Sequence, residues 1–302
     1  MNIDLKALEL FCTVARELSI TLAAQRLGRA PSNVTTRIQQ LESELGVSLF
    51  LRKNKRLHLS PEGEQFLVYA QKILSVSEEA RQILHPDKPG GSLRIGAMES
   101  TAASRLPEAL ASYHRKWPEV ALSVTTGPSA PMLEAVQARS VDCAFIAPAV
   151  GTEGKENSEL SSMGLVGQPV FREELMLVLP EAHPPITSAA DVAVGSLATF
   201  RPGCTYRSIA EEWFRKGGVN PSSIPNIQEV GSYHGMIACV CAGTSACVIP
   251  KSVIELLHEP VGIQQIPLKT IDTWLVWREN YDTPALRELI SILSGAHATQ
   301  GR

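Results

Sequence analysis

Between Pro31 and Leu45 the chain alternates two kinds of residue. Val34, Ile38, Leu41 and Leu45 are apolar; Ser32, Asn33, Thr35, Thr36, Arg37, Gln39 and Gln40 are short, hydroxylic, amide-bearing or guanidinium side chains. The apolar set falls at i, i+4, i+7 and i+11, which an α-helix gathers on one face, leaving the polar set on the other. Asn and Gln pair with adenine and Arg with guanine in a DNA major groove, while Ser and Thr reach bases or phosphates. A purely solvated face would more often carry Glu and Lys, but the acidic residues here, Glu42 and Glu44, lie away from the segment's start. The chemistry implied is hydrogen bonding to double-stranded DNA, with Ser32, Asn33, Thr35, Thr36, Arg37 and Gln40 as candidate contacts. Arg52, Lys53, Lys55 and Arg56 form a basic tip nearby; Arg52, Lys53 and Arg56 are candidates for phosphate or minor-groove contact. Residues 1–60 hold nine Lys/Arg against five Asp/Glu, and residues 91–302 hold 16 against 21, so only the head is expected to meet a polyanion.

Several elements must position these groups. Residues 4–17 carry a helical stripe of Leu5, Leu8, Phe11, Cys12 and Ala15. Ser19 is a good N-cap and Gly28 a good stop for a second helix, Pro31 suits the first turn of a third, and Gly46 ends it. Three helices with a tight turn before the last form a helix-turn-helix. Residues 47–60 read as two short strands around the basic tip, a wing. Ser60-Pro61 opens a helix to Leu84, about 36 Å at 1.5 Å per residue. Its Phe66, Tyr69, Ala70, Ile73, Val76, Ala80 and Ile83 follow an approximate heptad. A dimerisation helix is expected, the alternative being packing against its own chain. His85-Pro86-Asp87-Lys88-Pro89-Gly90-Gly91 is a breaker-rich boundary.

Beyond it, short apolar runs alternate with helical stretches, which predicts α/β layers with a mostly parallel sheet in two lobes. Residues 173–180, 262–268 and 272–277 read as separate strands, and a helix is expected from about Ala102 to Lys116. At 44% hydrophobic and 20% charged residues, the chain reads as soluble and globular. No apolar run approaches ~20 residues and the N-terminus has no signal-peptide core, so a cytoplasmic location and no membrane association are expected. Cys12, Cys143, Cys204, Cys239, Cys241 and Cys247 form no C-x-x-C pair and have no His cluster; neither a metal site, a cofactor nor a disulfide framework is expected. No G-x-S-x-G, Walker loop or H-E-x-x-H supports an enzyme. A Cys204–His234 nucleophile pair lacks flanking support, and a periplasmic solute-binding protein would need an export signal and no DNA-binding head.

The sequence resembles the LysR-type transcriptional regulators. The residues that carry the resemblance are Leu5-x-x-Leu8-x-x-Phe11, Ser19-x-Thr21-x-Ala23-Ala24-x-x-Leu27, Pro31-Ser32-Asn33-Val34-Thr35-Thr36-Arg37-Ile38-x-x-Leu41-Glu42-x-x-Leu45-Gly46-Val47-x-Leu49-Phe50 and Leu59-Ser60-Pro61-x-Gly63. The segments Glu99-Ser100-Thr101-Ala102-Ala103, Thr126-Gly127-Pro128-Ser129, Phe200-Arg201-x-x-Cys204-x-Tyr206-Arg207, Ser232-Tyr233-His234-Gly235-Met236 and Thr273-Trp274-Leu275-Val276-Trp277-Arg278 are closest to a PtrR-like subgroup linked to putrescine use. The resemblance implies a winged helix-turn-helix at 1–60, a dimerising linker helix and hinge at 61–90, and an effector domain like the type 2 periplasmic binding proteins at 91–302. Lobe I of that domain is expected at about 91–162 and 267–302, lobe II at about 163–266. It further implies a homotetramer that bends promoter DNA, responds to a small metabolite and works with RNA polymerase.

In such regulators the effector sits between the lobes at strand ends, as ligands do in open α/β sheets. The candidates are Glu99, Ser100 and Thr101 after the first strand, with Ser100 at the family's effector-hydroxyl position. Thr126, Gly127, Pro128 and Ser129 follow the second strand, and Ala147 and Pro148 the third. Phe200, Arg201, Ser232, Tyr233 and His234 come from lobe II; Tyr206 and Arg207 read as structural. Arg201 suits a carboxylate, as in an amino-acid or dicarboxylate derivative, unless it bridges the lobes. A diamine would instead need Glu99 or Glu229; of the two conflicting readings, a carboxylate-bearing ligand is the one expected. An alternative makes Cys204 a redox sensor, its thiol activated by Arg201 and Arg207.

Overall fold

A computed structural model describes residues 4–53, 56–85, 88–151, 154–217, 226–257 and 262–300. Lys55 of the wing tip and Pro86-Asp87 of the linker lie outside these. There are two compact units, the first chiefly Met1–His85, the second Pro86–Gln137 with Val141–Arg302.

The first unit runs α1 (Leu5–Glu17), α2 (Ile20–Arg26), α3 (Pro31–Leu45), β1 (Phe50–Lys53), β2 (Arg56–Leu59) and α4 (Pro61–Ile83). Its helices start where capping chemistry allows. Asp4 accepts the Ala7 N–H at 2.9 Å, Ser19 accepts the Leu22 N–H at 3.3 Å, and Pro31 stands in the first turn of α3. Gly46 ends α3 at φ 71°, a left-handed position open to glycine without steric cost. Phe11 is fully buried, with its ring 5.4 Å from Phe50 and 5.1 Å from Phe66, so α1, the wing and α4 share one centre. Buried Ser60 donates to the Ser48 carbonyl at 2.6 Å and accepts the Gly63 N–H at 2.8 Å. Gly63 lies so close to the Leu49 carbonyl that any Cβ would collide with it. The wing root is thus clamped to the start of α4.

The second unit runs β3 (Ser92–Ala97), α5 (Glu99–Ser104), α6 (Leu106–Lys116), β4 (Ala121–Thr126), α7 (Ser129–Gln137), β5 (Cys143–Ile146), α8 (Glu156–Ser162) and β6 (Leu165–Pro180). It continues through β7 (Ser196–Thr199), α9 (Thr205–Lys216), β8 (Ile227–Glu229), α10 (Tyr233–Cys241), β9 (Ser245–Pro250), α11 (Lys251–Leu256), β10 (Ile263–Arg278) and α12 (Pro284–Gln300). Strand order is β4-β3-β5-β10-β6-β9-β7-β8. This corrects the expectation of a mostly parallel sheet. The outer pairs are parallel, but β5–β10, β10–β6 and β6–β9 are antiparallel.

Strands β6 and β10 pair along their whole length, and each contributes one half to either lobe. Trp274–Trp277 pair with β5 in lobe I, and Leu175–Val178 with β9 in lobe II. The two segments expected as separate strands at 262–268 and 272–277 are therefore one strand. Pro267, which has no N–H to give a ladder, sits at a register shift, where the loss is tolerated. The helix expected from Ala102 to Lys116 is two, because α5 stops at Ser104 and α6 restarts with Pro107 in its first turn. Lobe I closes around Leu93, Ile95, Phe145, Leu275 and Leu289, and lobe II around Leu177, Leu197, Ile209 and Phe214, all under 6% exposed. No described helix is long and apolar enough to cross a membrane.

Candidate nucleic-acid interface and effector cleft

Val34, Ile38 and Leu41 of α3 are buried, which fixes the opposite side outward. Ser32, Asn33, Thr36, Arg37 and Gln40 are exposed, and Thr35 is half-buried. The Thr35 hydroxyl donates to the Pro31 carbonyl and the Thr36 hydroxyl to the Ser32 carbonyl, both at 3.0 Å. With their protons engaged, these hydroxyls are left to accept from a donor such as a base amine; a phosphate would have to displace the internal bond. The Arg37 guanidinium lies 3.5 Å from the Gln40 amide oxygen and has no ion pair among the described residues. The acidic Glu42 points elsewhere: its Oε1 accepts the Leu49 and Phe50 N–H groups at 2.7 and 3.0 Å, tying α3 to the wing. On β1 and β2 the register Arg52↔Leu57 and Lys53↔Arg56 leaves Arg52, Lys53 and Arg56 exposed at the tip. The unit therefore presents a neutral-to-basic hydrogen-bonding surface beside a cationic wing.

In the second unit a cavity of about 420 Å³ opens between the lobes, within the usual range for small-molecule sites. Of the sequence candidates, Glu99, Thr126, Gly127, Pro128, Ser129, Phe200, Arg201 and Tyr233 line it. The others lie around it. Ser100 and Thr101 are buried beneath, with the Ser100 hydroxyl 3.4 Å from the Tyr206 hydroxyl. The Ala147 carbonyl accepts the Thr205 hydroxyl at 3.2 Å, and its N–H donates to Ser129 at 3.1 Å. Ala147 and Pro148 line a neighbouring depression instead. Ser232 caps α10 by accepting the Gly235 N–H at 3.1 Å, and His234 is exposed. Sequence reasoning missed Met98, Cys204, Thr205, Val230 and Gly231 as lining residues and took Tyr206 for a structural one, yet it also lines the cavity. The signal available was position: Cys204, Thr205 and Tyr206 start a helix just past a strand end.

Phe200 and Tyr233 form an edge-to-face wall, their ring centres 4.9 Å apart. Three charged residues line the cavity: Glu99, Arg201 and Glu229. Arg207 donates to Glu229 at 3.0 Å, to Glu211 at 2.8 Å and to the Phe200 carbonyl at 3.2 Å. Arg201 is exposed and without an ion pair among the described residues. Burial raises the Glu99 carboxyl above its ordinary value, against a smaller opposing pull from His234. Burial likewise raises the Cys204 thiol, outweighing two backbone hydrogen bonds and Arg207. The expected activation of Cys204 is therefore not favoured, since a redox sensor needs its thiolate. Below the cavity, Arg105 holds Glu173 through two bonds of 2.6 and 3.1 Å, and Ser252 of α11 adds a third at 2.8 Å. No group of three or more His, Cys, Asp or Glu among the described residues is placed to hold a metal ion.

A helix-turn-helix head with an outward polar face, and a two-lobed body of the periplasmic-binding-protein kind, define the class of DNA-binding regulators that carry an effector-binding domain. The family described as bacterial regulatory helix-turn-helix protein, lysR family, matches residues 5–64, and the LysR substrate binding domain matches residues 86–298. The chain belongs to the LysR family of transcriptional regulators. It is 38% identical over 263 residues to the HTH-type transcriptional regulator GltR of Bacillus subtilis (strain 168), covering 87% of this chain and 83% of that protein. A full-length OxyR variant from Pseudomonas aeruginosa has the same fold at TM-score 0.67 and 22% identity, over 98% of this chain and 94% of that one. CbnR, solved with its target DNA, follows at TM-score 0.65 and 20% identity, over 97% of this chain and 99% of that one.

Proposed function

We propose that the protein binds promoter DNA as a symmetric oligomer through α3 and the wing, and that a small metabolite in the interlobe cleft alters that binding. The reading rests on one observation: the same chain carries an outward Arg37-bearing face on α3 and a 420 Å³ cleft containing an Arg201 with no ion pair among the described residues. Ser32, Asn33, Thr35, Thr36, Arg37 and Gln40 read bases, and Arg52, Lys53 and Arg56 hold the backbone. Tyr69, Ile73, Val76 and Ile83 leave an exposed stripe on α4, which supports pairing with a second copy; two such pairs make the tetramer. RNA polymerase is the further partner. The relatives named above are regulators, and no catalytic step is assigned. The PtrR-like resemblance is not among those relatives, so the putrescine link carries no weight here.

Footprinting of the full-length protein on DNA flanking its own gene tests the reading. A protected palindromic site whose occupation Arg37→Ala weakens, with the circular dichroism spectrum unchanged, is the expected result. Unaltered affinity in that variant overturns the role of α3.

A further inference from the structure

Arg201 calls for a carboxylate, whereas Glu99 and Glu229 call for an amine. The geometry removes one of these groups. Glu229 is already engaged by Arg207, which also binds Glu211 and the Phe200 carbonyl, so that carboxylate has an ion-pair partner within lobe II, whereas Glu99 and Arg201 have none among the described residues. What remains for a ligand is the Arg201 guanidinium, just past β7 in lobe II, and the Glu99 carboxylate, at the start of α5 in lobe I. Glu99 has neither an ion pair nor a side-chain hydrogen bond among the described residues, and feels only a smaller attraction from the exposed His234. The two free charges are opposite in sign and sit on opposite lobes, with the Phe200–Tyr233 wall contributing apolar surface.

On the reading that this cleft is the effector site, we propose that its ligand is a zwitterion, a free amino acid whose carboxylate meets Arg201 and whose ammonium group meets Glu99. Carboxylate–guanidinium and ammonium–carboxylate contacts are charge-assisted and strong in a partly desolvated cavity. The physical consequence concerns closure. A plain acid satisfies lobe II alone and a plain amine lobe I alone. Only a molecule bearing both charges gains from drawing the lobes together, and a ligand shifts an equilibrium only by its differential affinity for the two states. The partly buried carboxyl of Glu99 adds support, because His234 offsets only part of the effect of burial there and an ammonium group beside it supplies a further counter-charge.

The test uses the full-length chain and thermal shift followed by calorimetry. The panel is the twenty amino acids, with matched series in which one charge is deleted: leucine, 4-methylpentanoate and 3-methylbutylamine; phenylalanine, 3-phenylpropionate and 2-phenylethylamine. Dicarboxylates and putrescine are added. At least one amino acid should bind, with its single-charge analogues weaker by about tenfold or more. Glu99→Gln should erase the preference over the deaminated acid, and Arg201→Gln the preference over the decarboxylated amine. No binding by any amino acid, or an analogue binding equally well, overturns the zwitterion. The cleft reading fails separately. Gly231 lines the cavity and a Cβ added there meets nothing within 4 Å, so Gly231→Trp places bulk at the rim of the site without strain at its Cβ. A ligand of any charge whose affinity survives Gly231→Trp and both charge variants binds elsewhere.

Discussion

The Glu229 carboxylate accepts from the Arg207 guanidinium at 3.0 Å, across 22 residues of sequence, and that bond leaves Glu99 and Arg201 as the cavity-lining charges without an ion pair among the described residues. Arg207 is the more deeply placed partner, its side chain 14% exposed against 55% for Glu229. The two substitutions should therefore differ. Glu229→Gln is expected to change stability by under about 0.5 kcal/mol, as exposed ion-pair partners usually do. Arg207→Ala abandons three acceptors and should cost about 1–3 kcal/mol in urea unfolding. Equal effects would place the anchor elsewhere.

Glu99 gives a pH dependence of definite sign. A carboxyl raised on folding binds its proton more tightly in the folded chain, so it works against stability above its folded value. That effect is gone below the unfolded value of about 4.3. Unliganded Glu99→Gln should melt higher than the parent near pH 7, with the difference closing near pH 4. A Tm difference that grows on acidification refutes the assignment.

For the DNA-binding face, removing a base-reading arginine and removing a wing cation should leave different signatures. Arg37→Ala should weaken specific binding by about 1–3 kcal/mol and relax base preference at one position. Arg52→Ala should weaken binding to all sequences alike and lower the salt slope by about one. Fluorescence anisotropy across a salt series separates the two.

The exposed stripe on α4 predicts that Ile73→Asp disrupts the oligomer. Ile73 is 44% exposed and Val76 48% in the single chain, so the substitution should leave the fold of the monomer untouched. Sedimentation velocity should show a shift to a smaller species, with loss of palindrome binding. An unchanged species would assign the stripe to another use.

Gly63 makes the sharpest stability prediction. A methyl group there strikes the Leu49 carbonyl, a backbone atom that cannot rotate away. Gly63→Ala should cost roughly 3 kcal/mol, at the upper end for overpacking, and lower the melting of the first unit. Ser60→Ala loses the α4 cap and the bond to Ser48 and should cost about 1–2 kcal/mol.

The first unit was legible because its determinants are local. The Val34/Ile38/Leu41 stripe, the caps at Ser19 and Ser60 and the glycine stop at Gly46 each act within a few residues. The cleft was legible only where strand ends are adjacent to their own loops, as at Glu99, Thr126–Ser129 and Arg201. Ser100 was expected to face the ligand, yet the Tyr206 hydroxyl from the other lobe lies against it. No local pattern reports such occlusion, nor the Arg207–Glu229 bond. Short α8 and α11 were not anticipated either; seven and six residues are too few for a helical period to declare itself. The split of β10 into two expected strands failed because a register shift at Pro267 carries one long strand past a residue that cannot donate to the ladder.

That strand pair has an architectural consequence. Glu173 of β6 faces Ile271 of β10 across one antiparallel rung, where partner Cα atoms are about 5 Å apart. Everything between them in sequence is an insertion into a hairpin whose two arms already meet. Joining the arms there with a tight turn would leave β4, β3, β5 and the remaining halves of β10 and β6 as one continuous sheet. Topologically, then, lobe I is the host and lobe II the guest: a minimal single-lobed protein lies nested in this chain, removable with one cut in each arm.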